Sequence, residues 1–356
     1  MKTSEEISRR KAEGIRIVSE EAVESRTSST LFEHMHLVHN AIPELDFTEI
    51  DISIKFLGVK FSAPLLIDCM TGGSDESKKI NENLALTAEE QRLPMGVGSQ
   101  RAGLVADDLI ESYAIVRDSA PTAFLIANIG AAQLVKGFSI EDAIKCIKMI
   151  KADAFAIHLN PLQELVQPEG DSNYKGVLSK ISEFASELNV PIIIKEVGAG
   201  LSREVAVKVE KAGVKALNVS GLGGTSWAAV ERFRALIQKD ELKAKLGDIF
   251  WDWGIPTAAS LMEVKQSVNI PVIASGGIRN GLEVAKALTL GATICGMASP
   301  FLKRALQSKH DVVNFVSETT FILKSAMFVV GACNVHQLQN SRYVLTGPLA
   351  DWNNSM

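Results

Sequence analysis

Eight short apolar segments recur along the chain, and each is followed by a polar or glycine-rich turn and then by a helical stretch. The segments occupy residues 63–70, 94–99, 123–130, 153–160, 191–198, 215–221, 271–277 and 293–299. Runs of Val, Ile and Ala without polar alternation are typical of strands that are covered on both faces. Helical stretches such as 139–151 and 202–213 supply the connections of about a dozen residues that parallel strands need.

This repeated unit predicts an α/β fold, a (β/α)8 TIM barrel formed by residues 59–330 within a single domain. Residues 1–58 are predicted to form an N-terminal extension, and residues 331–356 a C-terminal helical appendage, because neither is large enough for a core of its own. A doubly wound open sheet is the alternative. It is disfavoured because no G-x-G-x-x-G turn follows the first strand.

Composition and charge exclude several classes of protein. With 356 residues, 46% of them hydrophobic, the chain can bury a large core. The formal net charge of -5, with Lys and Arg scattered, leaves no basic surface for a nucleic-acid backbone. The charged N-terminus lacks the apolar stretch of a secretion signal, and no window of about 18 uncharged apolar residues follows it. We therefore expect a soluble, cytoplasmic protein that binds neither nucleic acid nor membrane.

The cysteines and histidines form no recognisable disulfide or metal pattern. Cys69, Cys146, Cys295 and Cys333 lie far apart in the sequence, and we expect them to be small buried side chains. The stretch HMHLVH at 34–39 spaces its histidines so that they share no face of a helix, and no cysteine or carboxylate set completes a zinc site. No metal is predicted at that stretch.

The ends of the predicted strands are unusually polar. In a (β/α)8 barrel the catalytic residues lie at the carboxyl ends of the strands. The fourth strand ends in HLNPLQE at 158–164, which carries a histidine, two amides and a carboxylate. The other strand ends add Thr71, Ser99, Arg101, Asn128, Lys195, Glu196, Ser220, Thr225 and Arg279. A barrel end built only for stability has little reason to carry these groups, so we predict one functional site there.

Two glycine-rich turns indicate what this site binds. SGGIRNG (275–281) and GMAS (296–299) each precede a helix after the seventh and eighth strands, where such barrels often bind phosphate. Lys195, at the end of the fifth strand, is either a surface lysine whose aliphatic stem is buried or a cation beneath an electron-rich ring, where it would stabilise negative charge. A phosphate site combined with such a cation favours flavin mononucleotide (FMN).

Longer motifs along the chain resemble those of one enzyme family. In sequence order they are RRKAEG, CMTGG, MGVGSQR, IANIGAAQLVKG, HLNPLQELVQPEG, IKEVGAG, SGLGGTSW, DWGIPTAAS, SGGIRNG and GMASP. They span nearly the whole chain, and HLNPLQE with MGVGSQR and SGLGGTSW is the specific combination. On these motifs the chain resembles the type 2 isopentenyl diphosphate isomerases, which are FMN-dependent (β/α)8 barrels.

The resemblance implies an activity, cofactors and an assembly. The expected reaction interconverts isopentenyl diphosphate and dimethylallyl diphosphate, requires Mg²⁺ and reduced FMN, and causes no net oxidation. NADPH is the expected reductant of the flavin. The expected assembly is a cytoplasmic homo-tetramer or homo-octamer, with residues 1–58 contributing to the substrate site.

The resemblance also assigns roles to individual residues. Those expected around FMN are Thr71, Gly72, Gly73, Ser99, Asn128, Lys195, Ser220, Thr225, Gly277, Arg279, Ala298 and Ser299. Those expected to hold the substrate are Arg10, Lys11, Arg101, Asn160 and Gln163. Glu164 is expected to bind Mg²⁺, a hard cation that prefers oxygen ligands. The expected catalytic residues are Gln163, His158 and Glu231.

The chemistry explains why these residue types are needed. Moving the double bond requires protonation of an unactivated alkene, which ordinary side-chain acids accomplish poorly, so a water-free site with reduced flavin is expected. Gln163 is too weak an acid to act alone, and we expect it to orient or relay. Glu231 is the expected second acid–base group, with a solvated helix carboxylate as the alternative interpretation.

One position departs from the family pattern. The family usually carries a histidine at the end of R-K-x-E-H, whereas this chain has Gly14 after Arg10, Lys11, Ala12 and Glu13. That histidine helps the basic pair to hold the diphosphate. Its absence predicts weaker substrate binding or a substitute from elsewhere in the fold.

Two other functions remain as alternatives. An FMN-dependent barrel oxidoreductase would share the phosphate turns and the lysine, but hydroxy-acid oxidases typically carry an H-G-x-R stretch, and none occurs in this sequence. A ligand-binding barrel without activity would need only to bind phosphate. The amides and carboxylate of HLNPLQE exceed that need.

Overall fold

All eight predicted barrel strands are present. In the computed structural model, which describes residues 4–355, eight parallel strands form a closed barrel. We number them β1 Leu65–Ile67, β2 Met95–Gly96, β3 Leu125–Gly130, β4 Ala154–His158, β5 Ile192–Lys195, β6 Ala216–Asn218, β7 Val272–Ala274 and β8 Ile294–Met297. Their order around the barrel follows the chain, and β8 pairs with β1 to close it. The (β/α)8 prediction is confirmed, and the open-sheet alternative is wrong.

Helices separate every pair of consecutive barrel strands, as parallel pairing requires. The α-helices span Ser4–Glu20, Asp75–Gln91, Arg101–Val105, Glu111–Ser119, Ala131–Leu134, Ile140–Ile150, Pro161–Val166, Val177–Glu187, Arg203–Lys211, Trp227–Ile237, Glu241–Ile249, Thr257–Ser267, Gly281–Thr289, Ser299–Ala305, Lys309–Val330, Val335–Gln339 and Gly347–Ser355. Short 3-10 helices span Phe32–His34, Phe47–Glu49 and Asp107–Leu109.

The helix Ile140–Ile150 shows why the sequence folds locally in this way. The Ser139 hydroxyl accepts a hydrogen bond from the backbone N–H of Asp142, and the Asp142 carboxylate accepts one from the backbone N–H of Ser139. Cys146 and Ile150 lie four residues apart and are fully buried. The capping box starts the helix, and the apolar stripe packs it onto the barrel.

The alternation of side chains along the strands divides the core into two parts. Leu66 of β1 and Ile193 of β5 belong to the cluster inside the barrel. Phe56 and Phe61, from the antiparallel pair Ile54–Phe56 and Val59–Phe61, close this cluster at the amino-terminal end of the strands. The neighbouring residues on each strand point outward and pack under the helices.

Polar side chains occupy the next interior layer, towards the carboxyl ends of the strands. They lie two residues after the apolar interior positions, and residues two apart on a strand share a face. The layer consists of Asp68, Asn128, His158, Lys195, Asn218 and Ser275. The strand pattern that fills the barrel with apolar groups therefore also gives its open end a polar floor.

The segments before and after the barrel meet on its outside. Met35–Leu37 pairs antiparallel with Tyr343–Leu345, so the C-terminal segment contains a strand in addition to its predicted helices. Among residues 4–355, Lys309–Val330 is the one helix with the length and hydropathy of a membrane span. Its buried residues, including Phe315 and Leu323, pack on neighbouring helices of the barrel, and packed helices of globular domains have the same length and composition.

Candidate functional site

A cavity opens at the carboxyl ends of the barrel strands. Its floor is the polar layer, and the helix Ser4–Glu20 forms part of its wall. The predicted site residues that line it are Arg10, Lys11, Thr71, Ser99, Asn128, His158, Gln163, Lys195, Ser220, Thr225, Glu231, Gly277, Arg279, Ala298 and Ser299. Residues that are distant in the sequence therefore meet in one cavity.

Gly72 and Gly73 do not line this cavity. A Cβ atom on Gly72 would lie 1.9 Å from the ring of Tyr113, and one on Gly73 would lie 2.8 Å from the Cβ of Ala102. Both glycines have positive φ, +151° and +93°, which a side chain would strain. They shape the turn after β1, and their assignment to the cofactor, which the resemblance implies, stays a prediction.

Asn160, Glu164 and Arg101 lie behind the lining residues. The Asn160 amide donates to Gln163 Oε1 at 3.0 Å and to Glu164 Oε1 at 3.2 Å. Its Oδ1 accepts a hydrogen bond from the Tyr174 hydroxyl at 2.9 Å. Burial raises the pKa of Glu164, although Asn160 and Arg101 oppose this rise. Asn160, Gln163 and Glu164 of HLNPLQE thus form one hydrogen-bonded group at the cavity.

Three basic side chains lie close together at the cavity. Burial, together with the charges of Arg10 and Arg101, lowers the pKa of Lys11 to about 7. Burial and Arg10 also lower the pKa of Arg101. Cations that repel one another in a partly buried site favour the binding of an anion, which removes the repulsion. This cluster is therefore suited to a diphosphate.

Gly14 also lines the cavity, one turn along the helix from the basic residues. A Cβ atom built there would meet nothing within 4 Å among the described residues. The position where the family usually carries a histidine is therefore open space in this protein.

His158 and Lys195 lie side by side in the register of β4 and β5. The Nδ1 atom of His158 is 2.7 Å from Asn128 Oδ1 and donates to it. Burial, with the charges of Lys195 and Lys11, lowers the pKa of His158 to about 3. His158 is therefore neutral at physiological pH, which suits it to orient neighbours better than to donate a proton as imidazolium.

Gln163 and Glu231 form a buried pair. Gln163 Nε2 donates to Glu231 Oε1 at 2.9 Å, and the other oxygen of Glu231 pairs with Arg234 at 2.6 Å. Glu231 is only 2% exposed. Burial raises its pKa, and Arg234 opposes that rise. The alternative interpretation of Glu231 as a solvated helix carboxylate is wrong.

Several polar residues of the site were not predicted from the sequence. Asp68 lines the cavity, and its Oδ2 accepts a hydrogen bond from Asn218 Nδ2 at 2.9 Å. Ser275 donates to Asn218 Oδ1 at 2.6 Å. The pattern that identifies these residues is their position two residues after an apolar interior residue of β1, β6 or β7.

The glycine-rich turns after β6 and β7 pack directly against each other. A Cβ on Gly224 would lie 2.5 Å from the backbone nitrogen of Gly277. Gly277 has φ +73°, and its Cβ would lie 2.4 Å from Thr30 and 2.6 Å from the oxygen of Gly223. Only glycine fits these positions, so backbone amides approach the cavity without intervening side chains, as phosphate sites require.

The predictions for the cysteines are confirmed only in part. Cys146 and Cys295 are fully buried, whereas Cys69 and Cys333 are partly exposed. Cys69 lines the cavity, and burial with the charge of Asp68 raises the pKa of its thiol to about 12. Within residues 4–355, no group of three or more His, Cys, Asp or Glu side chains is arranged to hold a metal ion.

Solved structures share this fold. A lactate oxidase from Pediococcus acidilactici has a TM-score of 0.66 and 16% sequence identity, with coverage of 97% of this chain and 92% of that one. A mandelate oxidase with bound (S)-mandelic acid has a TM-score of 0.64 and 14% identity, covering 97% and 98% of the two chains. At such low identity these likenesses establish the fold alone.

Sequence relatives identify the family. Residues 160–345 match the family described as FMN-dependent dehydrogenase. Isopentenyl-diphosphate delta-isomerase from Methanosarcina mazei is 48% identical over 340 residues, or 96% of this chain and 92% of that protein. The enzyme of the same name from Pyrococcus furiosus is 48% identical and covers 90% and 82%. The chain therefore belongs to the family of FMN-dependent isopentenyl-diphosphate delta-isomerases.

Proposed function

We propose that this chain interconverts isopentenyl diphosphate and dimethylallyl diphosphate at the mouth of the barrel. The observation that carries the proposal is one cavity lined by Arg10 and Lys11 together with Gln163 and Glu231. The first pair suits a diphosphate, and the second pair suits proton transfer in a site shielded from water. Isomerisation of an alkenyl diphosphate requires both.

The cavity fits FMN. Its glycine turns present backbone amides where phosphate would bind, and Lys195 is buried in the floor, where it would stabilise negative charge on the ring. The proposed FMN contacts are Thr71, Ser99, Asn128, Lys195, Ser220, Thr225, Gly277, Arg279, Ala298 and Ser299, all of which line the cavity. When bound, reduced FMN supplies acid–base chemistry at the alkene without net electron transfer.

A magnesium site at Glu164 is consistent with the residues around it. Mg²⁺ often binds through one or two carboxylates and completes its coordination with water and substrate phosphates. Glu164 supplies one such carboxylate close to Arg101 and Arg10, which interact with its charge. We propose that Glu164 would hold Mg²⁺, which would neutralise negative charge on the diphosphate bound by these arginines and Lys11.

The side chains divide the remaining work. Arg10 and Lys11 bring the helix Ser4–Glu20 against the substrate and exclude water from the reacting carbons. Gln163 orients the alkene, because its amide is fixed by hydrogen bonds at both ends. Glu231 takes up or releases the second proton, and neutral His158 orients Asn128. The same proposal includes NADPH as the flavin reductant, assembly into a homo-tetramer or homo-octamer, and a cytoplasmic location.

An FMN-dependent oxidoreductase is the second candidate, because the matching family is described as FMN-dependent dehydrogenase. Hydride removal from a hydroxy acid needs a basic histidine. His158 is poorly suited to that role, because the low pKa of about 3 leaves its imidazole a weak base.

An anaerobic assay separates the two candidates. Isopentenyl diphosphate and Mg²⁺ are added to the FMN-bound protein, with the flavin either oxidised or reduced beforehand, and dimethylallyl diphosphate is followed together with the flavin spectrum. We expect product only with reduced flavin and no net reoxidation. Flavin reoxidation that matches the substrate consumed would instead establish the oxidoreductase.

A further inference from the structure

Arg234 is a buried cation of the site to which the proposed chemistry assigns no role. It lies on the helix Trp227–Ile237, is 4% exposed and lines the cavity. Its Nη1 atom is 2.6 Å from Glu231 Oε2, its Nη2 atom is 2.7 Å from Glu169 Oε1, and its Nε atom is 3.6 Å from Glu13 Oε2. These carboxylates come from its own helix, from the chain after Pro161–Val166, and from the N-terminal helix.

Towards the reacting carbons, Arg234 determines how Gln163 is oriented. Both oxygens of Glu231 accept hydrogen bonds, one from Arg234 and one from Gln163, which is the pattern of an ionised carboxylate. Gln163 must then direct its amide nitrogen towards Glu231 and its oxygen towards Asn160, which donates to it at 3.0 Å. The second N–H of Gln163 remains available to the cavity.

Towards the diphosphate, Arg234 is connected to the N-terminal helix. Glu169 Oε1 lies between Arg234 Nη2 at 2.7 Å and Arg10 Nη1 at 3.5 Å. Glu13, one turn after Arg10 on the same helix, contacts Arg234 directly. The position of the helix that carries the substrate-binding arginine therefore depends on the Arg234 guanidinium.

We propose that Arg234 is a positioning residue for the isomerisation, which holds the carboxylate of Glu231 against Gln163 and, through Glu169 and Glu13, sets the position of Arg10. The inference rests on the proposed function. Arg234 acts through these neighbours, so its loss affects both the chemical step and the binding of substrate.

The primary test replaces Arg234 in the FMN-bound, reduced enzyme. In Arg234→Gln we expect kcat to fall roughly 100-fold, because misplacement of the reacting groups by about 1 Å costs that much. The acid limb of the pH profile of kcat should move upward by roughly one to two pH units. Glu231 would then face the negative charge of Glu169 without its cationic partner. Arg234→Lys should recover part of kcat, since it keeps the charge without the planar fork.

A second variant separates the two connections. Glu169→Gln leaves the pair of Arg234 with Glu231 intact but weakens the link to Arg10, so we expect KM to rise several-fold while kcat is retained. The acid limb should move downward, opposite to its shift in Arg234→Gln, because the charge of Glu169 raises the pKa of Glu231. Arg232→Gln is the matched control. Arg232 lies on the same helix and pairs with Asp248 at 3.1 Å, and it does not line the cavity. This control should leave kcat, KM and the pH profile unchanged.

The possible outcomes separate this inference from the proposed function. The inference would be overturned if a folded, FMN-bound Arg234→Gln protein had the same kcat and the same acid limb as the wild type. If that variant does not fold, an unchanged KM in Glu169→Gln overturns it instead. A wild-type protein that is inactive with reduced FMN refutes the proposed function. Calorimetric binding of inorganic pyrophosphate to the FMN-bound protein then still tests the link to Arg10, with weaker binding expected in Glu169→Gln and unchanged binding overturning it.

Discussion

We expect diphosphate binding to be coupled to the uptake of a proton by Lys11. Burial, with Arg10 and Arg101 nearby, lowers its pKa from 10.5 to about 7. About half of the Lys11 amines are then neutral at pH 7 in the free protein, and roughly nine in ten at pH 8. A bound diphosphate restores the charged form. Binding should therefore take up about 0.5 proton at pH 7 and about 0.9 at pH 8.

The sign of the pH dependence follows from the same shift. Between pH 7 and 10.5 the folded chain binds fewer protons at Lys11 than the unfolded chain does. The free energy of unfolding therefore rises with pH across that window. Below the window, the charged Lys11 destabilises the folded chain to its full extent. Diphosphate affinity has the opposite trend, and it should fall by up to about tenfold per pH unit above the lowered pKa.

Isothermal titration calorimetry measures the proton uptake directly. Inorganic pyrophosphate is titrated into the FMN-bound protein at pH 7 and pH 8, in buffers of different ionisation enthalpy. Lys11→Arg is the matched control, since arginine keeps the positive charge and stays protonated. Subtracting the uptake of this variant removes protons that belong to the ligand. Equal uptake in the wild type and in Lys11→Arg would refute the reasoning.

Three further predictions test other parts of the site. Glu231→Gln removes an acid–base group, so it should lower kcat by a factor of about 10²–10⁴ with little change in KM. Steady-state turnover with reduced FMN measures both, and an unchanged kcat would exclude Glu231 from proton transfer. Gly277→Ala should cost at least about 2 kcal/mol and reduce flavin binding, followed by melting temperature and flavin absorbance, because strain adds to a close contact. Gly137→Ala is the control: Gly137 also has positive φ but no close contact, so its substitution should lower the free energy of unfolding only by the backbone strain. Gly14→His should fit its open space and lower KM several-fold, most strongly below about pH 6.5, where imidazole is charged; an unchanged KM at low pH would exclude a diphosphate contact.

Much of the site was predictable because strand ends are local features. Lys195 and His158 were assigned from their place at the ends of apolar runs, and β4 and β5 hold them in register. Asp68 and Asn218 were equally accessible to that reasoning, as the next interior residues of β1 and β6. They were missed because both lie inside the predicted strands 63–70 and 215–221, whereas site residues were sought only where those strands end.

The eight strands, the helices between them and the position of the glycine turns are encoded locally in the chain, because periodicity, capping and turn chemistry act over a few residues. Which side chains meet depends instead on how the whole chain folds. Gln163 and Glu231 lie 68 residues apart in the sequence, and their hydrogen bond exists because the closed barrel places their helices side by side. The lowered pKa of Lys11 has the same origin, since burial and neighbouring arginines arise only when the N-terminal helix docks on the barrel.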